Sequence, residues 1–463
     1  RSEEEKMKKL FGTDGIRGLA NEPPMDPQTI FKAAAGAADV LLKRYKKVRG
    51  LKKAIVMGRD TRASGTMLES AAAAGFASRG MDVLLAAVIP TPGVSYLVKH
   101  GKLMGGAVIS ASHNPFGDNG IKLFGPGGVK LEDKLEGQIE KAMANLKANG
   151  PTGKDVGLIK AFPEGAELYR KQVKKAIGRT RLTGMKIVVD CANGAAGHFT
   201  PQVLSELGAK VITIHDKPNG VNINRKCGSL HLNVAKNRVR KEGADLGISH
   251  DGDADRALFV DERGGLVDGD HILAFCARHL WRKGVPSGKV VSTVMANLGL
   301  ELALREQGLT LVRTDVGDRW VKEAMDREGA VLGGEQSGHI IFSEYAPTGD
   351  GLLTALKVLQ VVARTGKSLS EVSSIVTKYP QTLVNVKVKE KVPFPSLPTV
   401  QKALKAQEER LDGNGRVLLR YSGTEPLARV MVEGKDNRLI REAADEIATA
   451  IESAIGTKAG RAS

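Results

Sequence analysis

The sequence LGISHDGDADRALFV, residues 246–260, places an acidic loop between two short apolar runs. Each run has the length and bounded apolar character of a buried β-strand, so the stretch predicts strand, loop and strand. In the loop, Asp251, Asp253 and Asp255 occupy every second position. Carboxylates this close together repel one another, and a hard divalent cation such as Mg²⁺ offsets that repulsion. The stretch therefore predicts a metal site at the end of a strand.

Other interpretations fit the same aspartates. An EF-hand calcium loop needs glycine at its sixth position and helices on both sides, whereas here Arg256 holds that position and predicted strands flank the loop. A solvated acidic turn without a metal remains the alternative. The preceding His250 is interpreted as a structural histidine, because hard cations prefer oxygen ligands.

The pattern of short strands recurs along the chain, with helix-like stretches between them. Apolar runs form three sets, at residues 54–57, 83–88 and 106–109, at 186–189, 211–214 and 246–248, and at 290–294, 311–313 and 331–333. Strands that alternate with helices predict βαβ units. The predicted fold class is α/β, with three similar α/β domains that contain mixed sheets.

The C-terminal part has a different pattern. Three strands are predicted at residues 383–388, 417–420 and 429–433, and an amphipathic helix follows at 439–455. These elements predict an α+β domain with an antiparallel sheet, and the polar tail at residues 456–463 is predicted to be frayed. The predicted domains span residues 1–163, 164–262, 263–376 and 377–463.

The composition bears on the class of partner. The 463 residues carry a net charge of +17, and residues 41–53 hold seven basic side chains and no acidic one. Such charge attracts nucleic acid, anionic membranes or phosphorylated small molecules, or is simply a solvated face. No nucleic-acid motif and no apolar run of about 18 residues accompany it, so neither a nucleic acid nor a membrane is the predicted partner. The three cysteines are isolated, which favours a reducing cytoplasm.

A second loop is ISASHNP, residues 109–115, at the end of a predicted strand. Ser112 at a strand end could carry an acyl or phosphoryl group, with His113 and the downstream Lys122 close in sequence. Serine, histidine, asparagine and proline are also ordinary turn residues, so a plain turn is the alternative.

Two further loops suit a phosphorylated sugar. In GGEQSGH, residues 333–339, Glu335 and Ser337 could bind hydroxyl groups, and His339 could contact phosphate or transfer protons. In the other loop, RYSGTEP at residues 420–426, arginines and hydroxyls form a cradle for phosphate, and Arg429 follows it. A polar surface loop is the alternative in both cases.

Two more polar stretches support this interpretation. FGTDGIRG, residues 11–18, is a glycine-rich loop that carries Arg17, and GRDTR, residues 58–62, follows a predicted strand and could equally be a charged surface turn. The chain has no GxxxxGK[ST] motif, no strand-coupled GxGxxG and no GxSxG. A metal loop, a serine and anion cradles together favour phosphoryl transfer.

The four loops together resemble the α-D-phosphohexomutase superfamily, over nearly the whole chain. The segments FGTDGIRG, ISASHNP, GEQSGH and SGTEPLARVMVEG are similar to the branch that acts on glucosamine phosphates. Two positions depart from the pattern. Ala254 stands where the superfamily usually has glycine, which matters only if that residue has positive φ, and Tyr421 stands where this branch often has lysine.

The resemblance implies roles for these residues in a central cleft to which each domain contributes one loop. Ser112 would be a phosphoserine and a metal ligand through its phosphate, and Asp251, Asp253 and Asp255 would hold Mg²⁺. Lys122 would be the general acid or base, with its pKa lowered by Arg17 and Arg256. The remaining implied site residues are His113 and His339 for phosphate or protons, Glu335 and Ser337 for sugar hydroxyls, and Arg420, Ser422, Gly423, Thr424 and Arg429 for the distal phosphate.

The resemblance also implies the reaction. Glucosamine 6-phosphate and glucosamine 1-phosphate would interconvert through a 1,6-bisphosphate, for UDP-N-acetylglucosamine and cell-wall precursors. A hexose 1,6-bisphosphate would be the activator, a homodimer is implied, and movement of the last domain is expected around residues 375–382. A phosphomannomutase/phosphoglucomutase is the alternative with the same chemistry, and a nucleic-acid-binding protein on an inactive mutase scaffold is the alternative from another class.

Overall fold

The computed structural model describes residues 10–12, 14–146, 149–281, 284–422 and 425–462. Four separate sheets succeed one another along the chain: three are mixed, and the last is antiparallel throughout. The predicted class, three α/β units followed by an α+β domain, is confirmed.

The first unit is a six-stranded sheet in the order β1-β5-β4-β2-β3-β6. Its central strands β4, β2 and β3 run parallel, while β5 is antiparallel to both β4 and β1. Because β4 and β2 are parallel, Ile109 and Arg59 are paired at one edge, where the loops that follow both strands begin. The elements are β1 (Ile16–Leu19), α1 (Pro27–Tyr45), β2 (Lys52–Arg59), α2 (Gly65–Ser78), β3 (Asp82–Val88), α3 (Thr91–Gly101), β4 (Leu103–Ile109), β5 (Asp118–Phe124), α4 (Asp133–Ala144), β6 (Ile159–Ala161) and α5 (Glu164–Lys175).

The second unit has the sheet order β11-β10-β9-β7-β8. Strands β8, β7 and β9 are parallel, so the loops after them emerge at one edge, and the acidic loop joins β9 to the antiparallel β10. The elements are β7 (Lys186–Asp190), α6 (Thr200–Glu206), β8 (Lys210–Ile214), α7 (Asn233–Glu242), β9 (Leu246–His250), β10 (Ala257–Asp261) and β11 (Leu266–Val267).

The third unit has the sheet order β13-β12-β14-β15. Its third and fourth strands form an antiparallel pair joined by the glycine-rich loop that carries Glu335. The elements are α8 (Gly269–Leu280), β12 (Lys289–Thr293), α9 (Leu298–Arg305), β13 (Thr310–Thr314), α10 (Asp318–Glu328), β14 (Leu332–Gly334), β15 (Ile340–Phe342), α11 (Gly351–Thr365) and α12 (Leu369–Ser373).

The last unit has the sheet order β17-β18-β16-β19. The prediction of a frayed tail is wrong, because β19 pairs with β16. The tail lacks the apolar alternation that would have signalled a strand, and backbone pairing with an open edge is what orders it. The elements are β16 (Gln381–Val388), α13 (Pro398–Leu411), β17 (Gly415–Tyr421), β18 (Leu427–Gly434), α14 (Asn437–Ile455) and β19 (Gly456–Ala462).

The apolar cores show how the units are joined. One large core runs from the first unit through the second into the third, whereas the last unit buries its own separate core between its sheet and α14. All three cysteines are buried, as expected of small apolar side chains. Among the described helices, none combines the length and the apolar character needed to cross a bilayer.

Candidate active site

A cleft of about 440 Å³ opens where the first three units meet. Loops from all three line it, including parts of three of the four predicted motifs. Its lining consists of Leu10, Gly12, Asp14, Gly15, Arg17, His113, Lys130, Asp255, Arg256, Val316, Gly317, Asp318, Glu335 and His339.

Ser112 lies just beyond the end of β4 and is 1% exposed. Its Oγ donates a hydrogen bond to Asp251 Oδ2 at 2.6 Å and lies 3.3 Å from His113 Nδ1. Its φ of +53° is unusual for a residue with a Cβ. The Ser110 hydroxyl helps to hold this conformation by accepting from the Ser112 N–H at 2.9 Å. The hydroxyl is therefore fixed against the acidic loop of the second unit.

An arginine behind the Ser112 loop holds its backbone in place. Arg62 is 1% exposed and pairs with the buried Asp60 at 2.9 Å. Its guanidinium donates to the carbonyl oxygens of Ser112 at 3.1 Å, Asn114 at 2.9 Å and Asp118 at 2.9 Å, and also to that of Pro115. The sequence alone left these residues as a possible surface turn. The signal that would have singled them out is the pair of charges directly after a buried parallel strand.

The three aspartates of the acidic loop are almost completely buried and converge. One carboxylate oxygen from each lies within 4.8 Å of the others. Asp253 Oδ1 and Asp255 Oδ1 are buried, and neither has a hydrogen-bond partner within the described residues. Burial, followed by the charges of Asp255 and Asp253, raises the pKa of Asp251 well above its usual value. Clustered oxygen donors with unsatisfied lone pairs fit a hard divalent cation.

Lys122, on β5, is buried among carboxylates. Its Nζ lies 2.8 Å from Asp253, 3.2 Å from Asp14 and 3.4 Å from Asp255. The expected lowering of its pKa is not found. Burial alone would lower the pKa of Lys122, but the three carboxylates outweigh burial and the Arg17 charge and raise it well above the usual value. Lys122 is therefore a protonated donor in this arrangement.

Two guanidinium groups border the cleft. Arg17 pairs with Asp14, and Arg256 Nε lies 3.8 Å from Asp255 Oδ1. The Nε atoms of both arginines are buried without a hydrogen-bond partner among the described residues, as expected of groups that receive an anion. His113 also lines the cleft, and burial followed by the charges of Arg256 and Arg17 lowers its pKa.

The third motif presents two of its three predicted residues to the cleft. Glu335 and His339 line it, whereas Ser337 does not. The Gly349 N–H donates to His339 Nε2 at 3.0 Å, which places the ring proton on Nδ1, 3.6 Å from Asp255. Ser337 Oγ is buried and has no hydrogen-bond partner among the described residues.

The fourth motif lies in the last unit and does not line the cleft. Arg420 on β17 is directly opposite Arg429 on β18. Like charges at opposed strand positions are unfavourable, and the Glu425 carboxylate, 3.4 Å from Arg429, offsets part of this repulsion. Ser422 is buried at the end of β17, and its carbonyl accepts from Lys391 Nζ at 2.6 Å. Gly423 and Thr424 lie outside the described residues.

The two departures from the family pattern have different consequences. Ala254 has a φ of +56°, so its Cβ does introduce backbone strain into the acidic loop. Tyr421 turns its ring onto Phe394, with ring centroids 4.3 Å apart, and its hydroxyl donates to the carbonyl of Val392. The tyrosine therefore packs within the last unit.

Three charged cleft residues, Asp14, Lys130 and Asp318, were not predicted from the sequence as site residues. Lys130 pairs with Asp14 and, at 2.6 Å, with Asp318, and so links the first unit to the third. Burial favours the neutral form of Asp14, but Lys122, Lys130 and Arg17 outweigh it and lower its pKa. Lys130 and Asp318 lie in stretches with no recognisable motif, so only the tertiary structure reveals their contact.

His250 is structural, as the sequence suggested. Its Nδ1 lies 2.9 Å from the Arg256 carbonyl oxygen and its Nε2 lies 3.0 Å from Thr200 Oγ1. Burial lowers its pKa to about 4, so the ring is neutral. His250 therefore connects the end of the acidic loop to the first residue of α6.

Comparisons with known proteins agree with this architecture. Models of the phosphoglucomutase/phosphomannomutase family match the chain in order: α/β/α domain I at residues 8–150, domain II at 167–265, domain III at 268–379 and the C-terminal domain at 383–450. A solved family member from Burkholderia thailandensis superposes with a TM-score of 0.80 at 23% identity, over 97% of this chain and 99% of that one.

Two further relatives are more specific. A phosphoglucosamine mutase of Desulforudis audaxviator is 48% identical over 98% of this chain and 100% of its own length. The N-acetylphosphoglucosamine mutase of Aspergillus fumigatus, solved with GlcNAc-6P and magnesium, has a TM-score of 0.65 at 21% identity, over 97% of this chain and 96% of that one. Identity of 48% over almost the whole length, together with four domain matches in order, establishes that this chain belongs to the phosphoglucomutase/phosphomannomutase family, the α-D-phosphohexomutases.

Proposed function

We propose that this chain is a phosphoglucosamine mutase, which interconverts glucosamine 6-phosphate and glucosamine 1-phosphate. The observation that carries the proposal is the buried Ser112 hydroxyl, 2.6 Å from an aspartate of the acidic loop, beside a cleft with anion-binding arginines. The 48% identity to a relative named for this activity supports the choice of amino sugar.

In the proposed reaction Ser112 works as phosphoserine. Its phosphoryl group passes to the C1 hydroxyl of glucosamine 6-phosphate, which gives the 1,6-bisphosphate and a free serine. The bisphosphate turns round in the cleft, and Ser112 takes the phosphoryl group from O6, which leaves glucosamine 1-phosphate. This second step transfers a phosphoryl group from a bisphosphate to a free serine and restores phosphoserine. By the same step, a hexose 1,6-bisphosphate can phosphorylate Ser112 in an enzyme that starts without phosphate. This is the proposed activator role.

The aspartates of the acidic loop would hold Mg²⁺, together with an oxygen of the phosphorylated Ser112. When bound, Mg²⁺ supplies compensation for the negative charge of the transferred phosphoryl group. The chain adds its own positive charges, because the Nε atoms of Arg17 and Arg256 are buried without partners. Fixed donors of this kind are each worth about 3–4 kcal/mol in barrier height.

Lys122 is the proposed general acid and base at the reacting hydroxyl. Its raised pKa keeps it protonated, so in the first transfer it can give a proton to the departing Ser112 oxygen, while the C1 hydroxyl loses its proton to a neutral acceptor. Lys122 Nζ is 2.8 Å from Asp253, so the ammonium is held by the acidic loop, which also accepts the hydrogen bond from Ser112. His113, with its lowered pKa, is a neutral partner that can accept a proton near Ser112.

Substrate binding is proposed to use two units. Glu335 and Ser337, two residues apart in the third motif, bind sugar hydroxyls, and His339 contacts phosphate. The cradle of the last unit, which includes Arg420, Ser422 and Arg429 and extends to Gly423 and Thr424, holds the phosphate that is not reacting. Because the cradle does not line the cleft, we propose that the last unit rotates toward it about residues 375–382.

The remaining expectations are also proposals. They are the four domain boundaries, a homodimer, a cytoplasmic location, and supply of precursors for UDP-N-acetylglucosamine. A phosphomannomutase/phosphoglucomutase stays the second candidate, because the matched family models bear both of those names.

The test compares kcat/KM for glucosamine 6-phosphate, glucose 1-phosphate and mannose 1-phosphate, with Mg²⁺ and a hexose bisphosphate present. We expect glucosamine 6-phosphate to lead and Ser112→Ala to abolish turnover of all three. A lead for mannose or glucose phosphate would overturn the substrate. Full activity of Ser112→Ala would overturn the mechanism, with folding of the variant checked by its thermal unfolding.

A further inference from the structure

A second cluster of metal-type donors lies in the second unit, at the ends of β7 and β8. Asp190 ends β7, His215 follows β8, and Cys227 lies in the loop beyond. One donor atom from each, a carboxylate oxygen, a ring nitrogen and a sulfur, lies within 4.8 Å of the other two. Asp190 Oδ1 and His215 Nδ1 are 3.0 Å apart. None of these residues belongs to the cleft.

The charges in this cluster favour a cation. Asp190 is completely buried, and its one ion-pair partner among the described residues is His215. A buried carboxylate with no permanent cation beside it is costly, and a divalent ion compensates for it.

The surroundings of the donors resemble those of a metal site. The N–H groups of Ala192 and Gly228 donate to the two oxygens of Asp190 at 3.0 and 2.9 Å, and Asn193 Nδ2 lies 3.9 Å from the sulfur of Cys227. Such outer contacts orient ligands and stabilise their charged forms. The side chain of His215 is 31% exposed, which leaves solvent access for a water as fourth ligand.

We propose that Asp190, His215 and Cys227 form a binding site for a tetrahedral divalent cation of the zinc class, distinct from the acidic loop. One sulfur, one nitrogen and one oxygen donor suit Zn²⁺, whereas three carboxylates suit Mg²⁺. On binding, the metal forms bonds to sulfur, nitrogen and oxygen, and the thiol proton of Cys227 and the Nδ1 proton of His215 pass to solvent. No electron is transferred.

The proposed metal site would stabilise the segment between His215 and Cys227, which contacts the Ser112 loop. Between His215 and Cys227 the chain passes Asn224, whose Nδ2 donates to the carbonyls of Ser112 at 2.8 Å and Asn114 at 3.0 Å. A metal that binds both ends of this segment fixes Asn224 between them. The bound metal therefore has a structural role beside the catalytic loop, and this last step rests on the proposed function of Ser112.

The test is cobalt substitution in the full-length protein, with excess Mg²⁺ present to occupy the acidic loop. We expect one equivalent of Co²⁺ to produce a thiolate-to-cobalt charge-transfer band and the d–d spectrum of a tetrahedral ion. Cys227→Ser should remove the charge-transfer band. Cys276→Ser, which changes a buried cysteine in α8, should leave both features unchanged.

A second variant covers the case in which Cys227→Ser does not fold. His215 is partly exposed, so His215→Ala removes a ligand with little loss of packing. We expect its Kd for Zn²⁺ to rise by more than about 100-fold, since even outer contacts are worth 10–100-fold. Absence of a charge-transfer band in the wild type, or an unchanged Kd in His215→Ala, overturns the site. Neither readout depends on turnover, so failure of the proposed function leaves this test intact.

Discussion

The two regions that would bind the two ends of a bisphosphate are built in opposite ways. Ser112 and the acidic loop are buried, and hydrogen bonds and ion pairs from the first three units interlock around them. The phosphate cradle of the last unit is partly exposed, and its two arginines face each other across a strand pair. The region around Ser112 is therefore preorganised, whereas in the cradle Glu425, 3.4 Å from Arg429, is the carboxylate beside the two arginines.

The apolar cores that support the two regions also differ. The first three units share one apolar core, while the last unit has its own. A polar joint connects them: Glu433 accepts from Asn297 Nδ2 at 3.0 Å and pairs with Arg416 at 2.6 Å, and Arg416 also donates to the Val294 carbonyl at 2.9 Å. A separate core and a polar joint allow rotation as a body, whereas a shared core resists it.

The largest effect is expected where the preorganised region is most interlocked. Arg62→Met removes the charged partner of buried Asp60, and it leaves the Ser112 and Asn114 carbonyls with Asn224 as their remaining side-chain donor. Breaking a buried pair costs about 3–5 kcal/mol, and displacement of Ser112 by about 1 Å costs about 100-fold in rate. Urea unfolding and kcat of the variant measure the two losses. Arg44→Met, on the exposed end of α1, is the control and should change stability by less than about 0.5 kcal/mol.

Arg62 also shows where inference from the sequence ended. The strands before each loop, the three α/β units and the acidic loop follow from local apolar patterns, and the structure confirms the fold class. That Arg62 is buried behind Ser112 depends on the pairing of β2 with β4. The Lys130 contact with Asp318 depends on docking between units, and β19 forms by pairing with an edge strand. Such long-range contacts leave no periodic pattern in one chain.

The second largest effect is expected at the joint. Glu433→Gln keeps an acceptor for Asn297 and removes the charge that pairs with Arg416. Arg416 retains 18% exposure, so the cost should be about 2 kcal/mol, below that of a fully buried pair. Unfolding in urea should then separate into two transitions, with the last unit melting first. A single transition at the wild-type midpoint would show that the charge of Glu433 does not hold the last unit in place.

A smaller effect is expected in the phosphate cradle, where a substitution should weaken substrate binding and hardly change the free energy of unfolding. Arg429→Gln removes a phosphate donor, so KM for glucosamine 6-phosphate should rise about tenfold, the equivalent of one charge-assisted hydrogen bond. The free energy of unfolding should change by less than about 1 kcal/mol, because the loss of the exposed ion pair with Glu425 and the relief of repulsion from Arg420 act in opposite directions. Lys435→Gln, an exposed charge just after β18, is the control and should leave KM unchanged. An unchanged KM in Arg429→Gln would remove this arginine from the cradle.

The smallest effect is expected in the acidic loop, where two contributions of opposite sign nearly cancel. Ala254→Gly relieves a φ of +56°, worth about 1–2 kcal/mol. It also removes a Cβ that is 1% exposed, worth about 0.8 kcal/mol, and adds about 0.5–1 kcal/mol of backbone entropy to the unfolded chain. The net change in the free energy of unfolding should therefore be within about 0.5 kcal/mol.

The matched control for Ala254→Gly is Ala257→Gly, at a buried β10 position that is not among the residues with positive φ. It has no strain to relieve, so the full cost of about 1.5 kcal/mol should appear. Equal losses in the two variants would mean that the strain at Ala254 contributes nothing, and a gain of about 0.8 kcal/mol at Ala254 would mean that its Cβ contributes no packing. The expected difference between the variants isolates the cost of alanine in the left-handed region, in a loop that the rest of the preorganised site keeps in place.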